Sequence, residues 1–449
     1  MKSDTKYNTG YMELLSPAGS MEKLETTFAY GADAAYMGLK SFSLRTNAKN
    51  FEYDQAQAIR DLKTKTGKKL YCTVNIYFHE DDIAKLRTEL EEMKGYPFDA
   101  FIISDIGILD VMKNAFPDAE MHLSTQANCI NAASARMYAN MGFDRVILGR
   151  ETPLSDIRRI RDANPTLGIE AFVHGAMCMA YSGRCFLSSH LTGRSANQGD
   201  CSHTCRWNYR FAEYSPEFAL EEESRPGRYY PIEGDSTYTT ILSSKDLCMI
   251  DHLADLRDAG VDSLKIEGRM KSIYYVATIT RAYRKALDHL YDPSVDYKPY
   301  RDELFNVSHR EFATGFFYGN GPIDVNSNED VNSNEDVDSN EDVDSNKDED
   351  LKEANRTTTQ GYLRDYLFLG TIGNEVKPNV YEVDIKNQIR TGVPIEFIGP
   401  NVLSLREDSP VVLDEDFNET DHIDHCRTGY IKTALKLEPG YMIRKEIKV

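Results

Sequence analysis

The 449-residue sequence contains no run of about 18 consecutive apolar residues, the length that a transmembrane helix needs. No apolar stretch follows the lysines near its N-terminus, so no secretory signal peptide is expected. Neither G-x-S-x-G nor H-E-x-x-H occurs, so the signatures of a serine hydrolase and of a zinc protease are both missing. These absences predict a cytoplasmic protein that has no membrane partner.

Basic residues are in deficit: 52 Lys and Arg stand against 72 Asp and Glu, a formal net charge of −20. Residues 324–350 hold twelve acidic residues and one lysine, a net of −11, which leaves about −9 for the remainder. This balance argues against an extensive nucleic-acid footprint, which normally needs a basic surface, but leaves room for a local one. The length predicts two or three domains.

The acidic stretch is repetitive. Residues 325–348 read VNSNED, VNSNED, VDSNED and VDSNKD. A solenoid or a calcium-binding repeat is one interpretation. One valine in six buries too little apolar surface to offset the entropy of ordering, so we predict a disordered acidic linker over residues 323–359.

Residues 1–322 show short apolar runs that alternate with amphipathic segments. The runs are 12–15, 34–37, 70–76, 100–103, 121–123, 145–148, 169–173 and 263–266, and helical patterns include 21–30, 83–93, 132–141 and 272–291. Strands that alternate with helices imply parallel pairing, and eight of them predict an α/β fold of the (β/α)8 TIM-barrel type. The active site of such a barrel lies at the carboxyl ends of its strands.

Polar residues follow most of these runs, and in a closed barrel they would converge on one rim. They are 16–19, 38–40, Asn75, 104–105, 124–126, 149–151, His174 and 267–269. Many of them are ordinary turn and helix-cap residues, so their presence alone does not define a site.

Residues 360–449 show strand patterns at 366–372, 380–386, 393–398 and 441–446, which predict a small β-rich C-terminal domain.

A cysteine-rich insertion interrupts the barrel pattern near residues 174–242. Cys178, Cys185, Cys201 and Cys205 follow the spacing C-x6-C-x15-C-x3-C among glycines and small polar residues. In a cytoplasmic protein such a group indicates a metal centre more than disulfides. The wide first and middle gaps favour a 4Fe-4S cluster over zinc, although zinc and four unligated thiols remain alternatives.

Other cysteines are expected to have structural roles. Cys248 lies in a segment beginning at Asp246 that we predict to be helical, and it is the alternative fourth ligand to Cys205. Cys72 and Cys129 are predicted to be core residues, and Cys426 has no cysteine neighbour in the sequence. A protease mechanism would use one activated thiol, such as Cys178 near His174, and would leave the other clustered thiols unexplained.

The chain resembles peptidase family U32 at several separate motifs. The residues that carry the main motif are Glu170, Phe172, Gly175, Ala176, Met177, Cys178, Gly183, Arg184, Cys185, Leu187 and Ser188. Further matches are ELLSPAG at 13–19, GADAAYMG at 31–38, SKDLC at 244–248 and KIEGR at 265–269. The resemblance covers residues 11–320, and residues 360–449 are similar to the family's C-terminal domain. The acidic repeat departs from the family pattern.

The resemblance implies two kinds of activity. The historical label is collagenase-like protease, whereas other members are oxygen-independent hydroxylation factors that carry a 4Fe-4S cluster and act on ubiquinone precursors, ribosomal RNA or tRNA. This chain is most similar to the members that convert wobble uridine of tRNA to 5-hydroxyuridine with prephenate. The implied cluster ligands are Cys178, Cys185, Cys201 and Cys205. A non-enzymatic partner subunit of a hydroxylation complex is a third interpretation, and a protein partner is a further expectation.

Candidate substrate-binding residues are the cations Arg45, Arg150, Lys265 and Arg269, since guanidinium forks suit both carboxylates of a prephenate-like dicarboxylate and RNA phosphates. Glu267 and His174 are candidates for proton transfer. Lys265 and Glu267 could instead form an ion pair that orients the eighth strand.

Overall fold

Eight short strands form a closed parallel barrel in the computed structural model. They are β1 (Glu13–Pro17), β2 (Ala34–Met37), β3 (Lys69–Val74), β4 (Ala100–Ile103), β5 (Glu120–Leu123), β6 (Arg145–Ile147), β7 (Gly168–Ala176) and an eighth strand at Ser263–Ile266. The eighth strand pairs with both β1 and β7, which closes the ring. The predicted TIM-type barrel is confirmed, and Ala34–Met37, Ala100–Ile103 and Ser263–Ile266 have the predicted bounds.

The structure describes residues 7, 9–44, 51–178, 180–182, 184, 188, 201, 219–221, 229–231, 233–234, 239–240, 244–319, 363–425 and 427–447. Several predicted features lie outside these residues, namely the linker at 323–359, Arg45, Cys185, Cys205 and Cys426.

The chain divides into two compact units. The first unit contains residues 1–20, 34–270 and 310–362, and the second contains 21–33, 271–309 and 363–449.

Helices follow the strands in sequence, as the amphipathic patterns predict. They are α1 (Met21–Ala29), α2 (Ala56–Thr66), α3 (Glu80–Met93), α4 (Leu109–Ala115), α5 (Ala132–Met141), α6 (Leu154–Ala163), α7 (Leu253–Asp258), α8 (Ile273–Tyr291) and α9 (Lys298–Asp302). Side-chain caps define some of their starts. Asn131 accepts a hydrogen bond from the Ser134 amide at the start of α5, and Ser272 accepts one from the Tyr275 amide at the start of α8.

The chain that returns from the cysteine-rich insertion forms a strand and not the predicted helix. Short strands β8 (Ala219–Glu221), β9 (Tyr229–Pro231), β10 (Glu233–Gly234) and β11 (Thr239–Thr240) precede it. Strand β12 (Asp246–Cys248) then pairs antiparallel with the end of β7, and Phe312–Ala313 adds beside it. The prediction of a helix beginning at Asp246 is therefore wrong, because pairing with β7 overrides the local pattern. The barrel's eighth strand, at Ser263–Ile266, is β13, and Phe312–Ala313 is β14.

The second unit contains a mostly antiparallel β-sheet together with helices α1, α8 and α9. Its strands include Tyr366–Lys377, Val380–Ile385, Ile395–Ile398, Leu405–Glu407, Val411–Leu413, Glu419–Thr420, Thr428–Lys432 and Met442–Glu446. Leu369, Phe397, Ile431 and Ile443 belong to its buried apolar core. The predicted small β-rich C-terminal domain is confirmed. Among the described residues of both units, no helix is long and apolar enough to cross a membrane.

Candidate functional site at the barrel mouth

A cavity of about 60 Å³ lies at the carboxyl ends of the barrel strands. It is lined by Tyr36, Leu44, Thr73, Asn75, Ile102, Ser124, Thr125, Gln126, Ile147, Arg150, Phe172, Lys265, Glu267 and Arg269. Half of these residues belong to the polar segments that the sequence places after the strands. The closed barrel therefore brings the predicted rim residues of four strands, β3, β5, β6 and β13, to one cavity.

Arg269 is fixed by two hydroxyl groups. Its Nη1 donates to Ser43 Oγ at 2.6 Å and to Thr73 Oγ1 at 2.9 Å, and the side chain is buried. A Cβ atom at Gly38 would lie 2.5 Å from the same Nη1, so the position after β2 needs glycine for Arg269 to reach this place. The arginine is thus built into the cavity wall, as expected for a residue that holds an anionic group.

Arg150 and Glu267, which both line the cavity, form an ion pair. The distance from Arg150 Nη2 to Glu267 Oε2 is 3.1 Å. The Arg150 guanidinium also lies 3.9 Å from the centroid of the Phe172 ring, a cation–π contact that fixes its plane. Glu267 therefore pairs with Arg150 and not with Lys265, so the alternative of a Lys265–Glu267 ion pair is not seen.

Lys265 is buried within the barrel and lines the same cavity. Its Nζ lies 2.7 Å from Glu170 Oε1 and 4.5 Å from the centroid of the Tyr36 ring. Burial lowers the pKa of Lys265, and the adjacent Glu170 carboxylate acts in the opposite direction. Lys265 is therefore a buried cation whose position is set by Glu170.

A chain of buried charges continues from Lys265 towards the amino ends of the strands. Arg145 Nη1 lies 3.0 Å from Glu170 Oε2 and 2.7 Å from Glu13 Oε1. Tyr71 and Ser263 donate to Glu13 at 2.7 and 3.1 Å, and the exposed Lys69 lies 3.2 Å away. Burial alone would raise the pKa of Glu13, but the Arg145 and Lys69 charges outweigh it and lower the pKa to about 2.

The sequence analysis assigned no role to Glu13 and Arg145. A signal for them exists, since each is a charged residue at the start of an otherwise apolar run. Glu13 and Arg145 are 132 positions apart, so only the barrel closure shows that they pair. Both carboxylates that contact Arg145 lie inside the barrel and not at its mouth cavity, which indicates a structural role.

His174 lies in β7 with its ring packed 5.3 Å from the Phe312 ring, and only 2% of the residue is exposed. It is not among the residues that line the cavity, whereas Glu267 is. The two residues are joined through the backbone, since the Glu267 amide donates to the His174 carbonyl at 2.9 Å. The geometry therefore favours Glu267 over His174 for contact with a ligand.

Two of the four predicted metal ligands are among the described residues. Cys178 is exposed two positions after the end of β7, and Cys201 is half-buried. Neither forms a disulfide, so their donor chemistry fits a thiolate-bound metal or cluster. Within the described ranges no group of three or more His, Cys, Asp or Glu side chains could hold a metal. Cys185 and Cys205 lie outside those ranges.

The remaining described cysteines are buried. Cys72 and Cys129 are core residues as predicted, and burial raises the pKa of each thiol to about 12. Cys248 is also buried, opposite His174 in the β7–β12 pairing. Its prediction as a small core residue is confirmed, although it lies on a strand.

The charged side chains of the cavity lining are Arg150, Lys265, Arg269 and Glu267, a formal charge of +2, and Glu170 beside Lys265 offsets one of these charges. Gln126 Oε1 is buried without a hydrogen-bond partner among the described residues. The excess of cationic side chains suits an anionic group.

Two family models match the chain. Peptidase family U32 matches residues 19–327, and the peptidase family U32 C-terminal domain matches residues 364–444. The tRNA hydroxylation protein P1 of Bacillus subtilis (strain 168) is 33% identical over 438 residues, covering 96% of this chain and 94% of that protein.

Two further relatives have different names. The tRNA hydroxylation protein P of Escherichia coli (strain K12) is 40% identical over 341 residues, covering 68% of this chain and 74% of that protein. A protein named collagenase from Porphyromonas gingivalis (strain ATCC BAA-308 / W83) is 31% identical over 326 residues, covering 70% and 75%. The names of the relatives thus include both of the activities that the sequence resemblance implies.

Proposed function

Since the chain belongs to peptidase family U32, we propose that it is an RNA-modifying enzyme that hydroxylates wobble uridine of tRNA to 5-hydroxyuridine in the cytoplasm without O2. Relatives named as tRNA hydroxylation proteins support the reaction class, and one of them aligns with nearly the whole chain. The observation that carries the proposal is the cationic cavity at the barrel mouth. Its lining is suited to an anionic co-substrate.

The co-substrate in this proposal is a small dicarboxylate of the prephenate type. Arg269 and Arg150 present guanidinium groups to the cavity, and guanidinium binds carboxylate through paired hydrogen bonds. These two groups would hold one carboxylate of the molecule in the cavity. Arg45, which lies outside the described residues, is proposed as a further contact to this molecule or to an RNA phosphate.

Glu267 is proposed to hold or move a proton at its Oε2 atom. It lines the cavity, and its Oε2 atom lies 3.1 Å from Arg150 Nη2, which orients the carboxylate. Lys265 supplies a positive charge at the same cavity and is positioned by Glu170. His174 has no place in this assignment, because its ring packs against Phe312 away from the lining.

The cofactor in this proposal is a 4Fe-4S cluster held by Cys178, Cys185, Cys201 and Cys205, with Cys248 as the alternative to Cys205. Such a cluster supplies one-electron transfer chemistry when it is bound. The spacing and the number of cysteines support it over zinc. A protein partner of the enzyme is part of the same proposal.

The relative named collagenase supports a second candidate, a peptidase. A cysteine or serine peptidase needs a nucleophile beside a base such as histidine. Among the described residues, no histidine lines the mouth cavity. A purely scaffolding subunit would not need a charged cavity at the rim, so the catalytic interpretation is favoured over both.

Mass spectrometry of tRNA nucleosides from a strain that lacks this protein tests the proposal. We expect the wobble 5-hydroxyuridine and nucleosides made from it to disappear, and a plasmid copy of the gene to restore them. Unchanged wobble uridines in the deletion strain would contradict the proposal and favour the peptidase.

A further inference from the structure

We propose that two anchors, one on each side of Cys178, hold this residue in position to bind iron before the cluster is assembled. The inference rests on the proposed function, in which Cys178 is a cluster ligand. The Arg310 anchor consists of Ser244, Asp246 and Arg310, and the Glu151 anchor consists of Glu151 and Ser182. All five residues belong to the barrel unit.

The Arg310 anchor is hydrogen-bonded to the backbone of the residue immediately before Cys178. Ser244 Oγ donates a hydrogen bond to the Met177 carbonyl oxygen at 2.7 Å. Arg310 Nη1 in turn donates to Ser244 Oγ at 3.4 Å. Because Ser244 and Arg310 are both buried, water does not compete for these bonds.

Asp246 makes this anchor rigid. Arg310 Nε and Nη2 donate to Asp246 Oδ1 at 3.1 and 2.7 Å, and the Arg310 amide donates to Oδ2 at 3.2 Å. Asp246 also stands opposite Ala176 in the β7–β12 pairing. A buried charge pair with several hydrogen bonds has one favourable arrangement, so it fixes β12 to the backbone at Arg310, and β12 in turn pairs with β7.

The Glu151 anchor holds the chain four residues after Cys178. Glu151 Oε1 accepts hydrogen bonds from the Ser182 amide at 2.7 Å and from Ser182 Oγ at 3.2 Å. Ser182 Oγ also accepts one from the Arg150 amide at 3.3 Å. The segment that contains Cys178 is therefore tied directly to the loop that supplies Arg150 to the mouth cavity.

Cys178 itself is exposed between the two anchors. The arrangement explains why the SKDLC segment at 244–248 accompanies the cysteines in the sequence: its serine and aspartate fix the backbone beside the first thiol. Residues that do not contact a metal but orient its ligands contribute to metal affinity, and their loss typically weakens metal binding about 10-fold to 100-fold. The anchors are positioning residues in this sense.

The test compares Ser244→Ala, Arg310→Met and Glu151→Ala with the unaltered full-length protein. Each is reconstituted without oxygen using iron and sulfide and then exposed to a ferrous chelator, and iron per chain is measured over time. We expect retention of iron to weaken at least about 10-fold in Arg310→Met and Glu151→Ala. The effect in Ser244→Ala should be smaller, because the Arg310–Asp246 pair remains.

Arg161→Met is the matched control. Arg161 also forms a buried pair with an aspartate, Asp262, and donates to the Gly260 carbonyl at 2.8 Å. Asp262 precedes β13 at the amino end, so this pair lies away from the cysteines. The control should lose stability to heat while retaining iron as the unaltered protein does.

The outcomes separate the inference from the function it rests on. Unaltered protein that binds no iron–sulfur cluster would overturn both. Unaltered protein that binds iron, together with anchor variants that retain it equally well, would overturn the inference alone. Equal iron loss in the Arg161→Met control would also overturn it, because the anchors would then act only through overall folding.

Discussion

The two ends of the barrel use buried charge differently. At the amino end, Arg145 lies between Glu13 and Glu170, and each carboxylate oxygen near it has a partner inside the protein. At the carboxyl end, Arg269 is held by the hydroxyls of Ser43 and Thr73 and faces a cavity. The difference is in the surroundings of the charge: at the amino end it is enclosed by protein partners, and at the carboxyl end it borders a cavity, where the proposed function places binding.

The largest effect is expected from breaking the amino-end network. Arg145→Met leaves Glu13 and Glu170 buried without their central partner. Removing one member of a buried ion pair typically costs about 3–5 kcal/mol, so we expect a loss of that size in the free energy of unfolding. Chemical denaturation followed by circular dichroism measures it.

Lys69→Met is the control for that experiment. Lys69 contacts the same Glu13 carboxylate at 3.2 Å, but its side chain is 52% exposed. Exposed pairs contribute no more than about 1 kcal/mol. Equal destabilisation by the two substitutions would contradict the structural role assigned to the buried chain.

The next largest effect is a dependence of stability on pH. The Arg145 charge and its hydrogen bonds lower the pKa of Glu13 from 4.5 to about 2, despite burial. Stability from ionised Glu13 is therefore fully present above pH 4.5 and is lost as the pH falls towards 2. The shift corresponds to about 3 kcal/mol. Glu13→Gln should lack this part of the acid sensitivity when unfolding is measured at several pH values.

Glu91→Gln provides the comparison for the pH series, since the Glu91 side chain is 81% exposed. It should follow the unaltered protein across the same range. If Glu13→Gln and the unaltered protein lost the same stability on acidification, carboxylates other than Glu13 would be responsible for the acid sensitivity.

The smallest expected effect is at the carboxyl end, and it is an effect on catalytic activity and not on the free energy of unfolding. Arg269→Met removes a cation from the cavity, and a hydrogen bond to a charged group contributes about 1.5–3 kcal/mol, so modification should fall about 10-fold to 100-fold. Stability should change little, because Ser43 Oγ and Thr73 Oγ1, 2.8 Å apart, can still bond each other. Modified nucleoside per tRNA, measured at limiting expression in the deletion strain, reports the activity.

Arg269→Lys sharpens that result, since it keeps the charge but loses the paired geometry of guanidinium. It should retain activity between that of the methionine variant and the unaltered protein. Full activity of Arg269→Met, or a loss of stability as large as that of Arg145→Met, would mean that the two ends do not differ as described.

Much of the barrel could be predicted from the sequence. Four-residue apolar runs such as Ala34–Met37 and Ala100–Ile103 are buried throughout, and parallel strands covered on both faces have this appearance. The polar residues after the strands indicated the rim, and Arg150, Lys265, Glu267 and Arg269 do line one cavity.

Other features depend on distant contacts and could not be predicted. The strand Asp246–Cys248 has only three residues and exists because it pairs with the extended end of β7. His174 follows the last apolar residue of its run, yet β7 continues to Ala176 and the ring packs against Phe312. The partners of Glu13 and Lys265 lie far along the chain, so local patterns hold no information about them.

The proposed function requires both the cluster cysteines and the cavity at the barrel mouth for hydroxylation. The most direct measurement is 5-hydroxyuridine per tRNA, by mass spectrometry, in the deletion strain carrying either the unaltered gene or the Cys178→Ser variant at matched protein levels. The account predicts restoration by the unaltered gene and none by the variant. Full restoration by Cys178→Ser would contradict it.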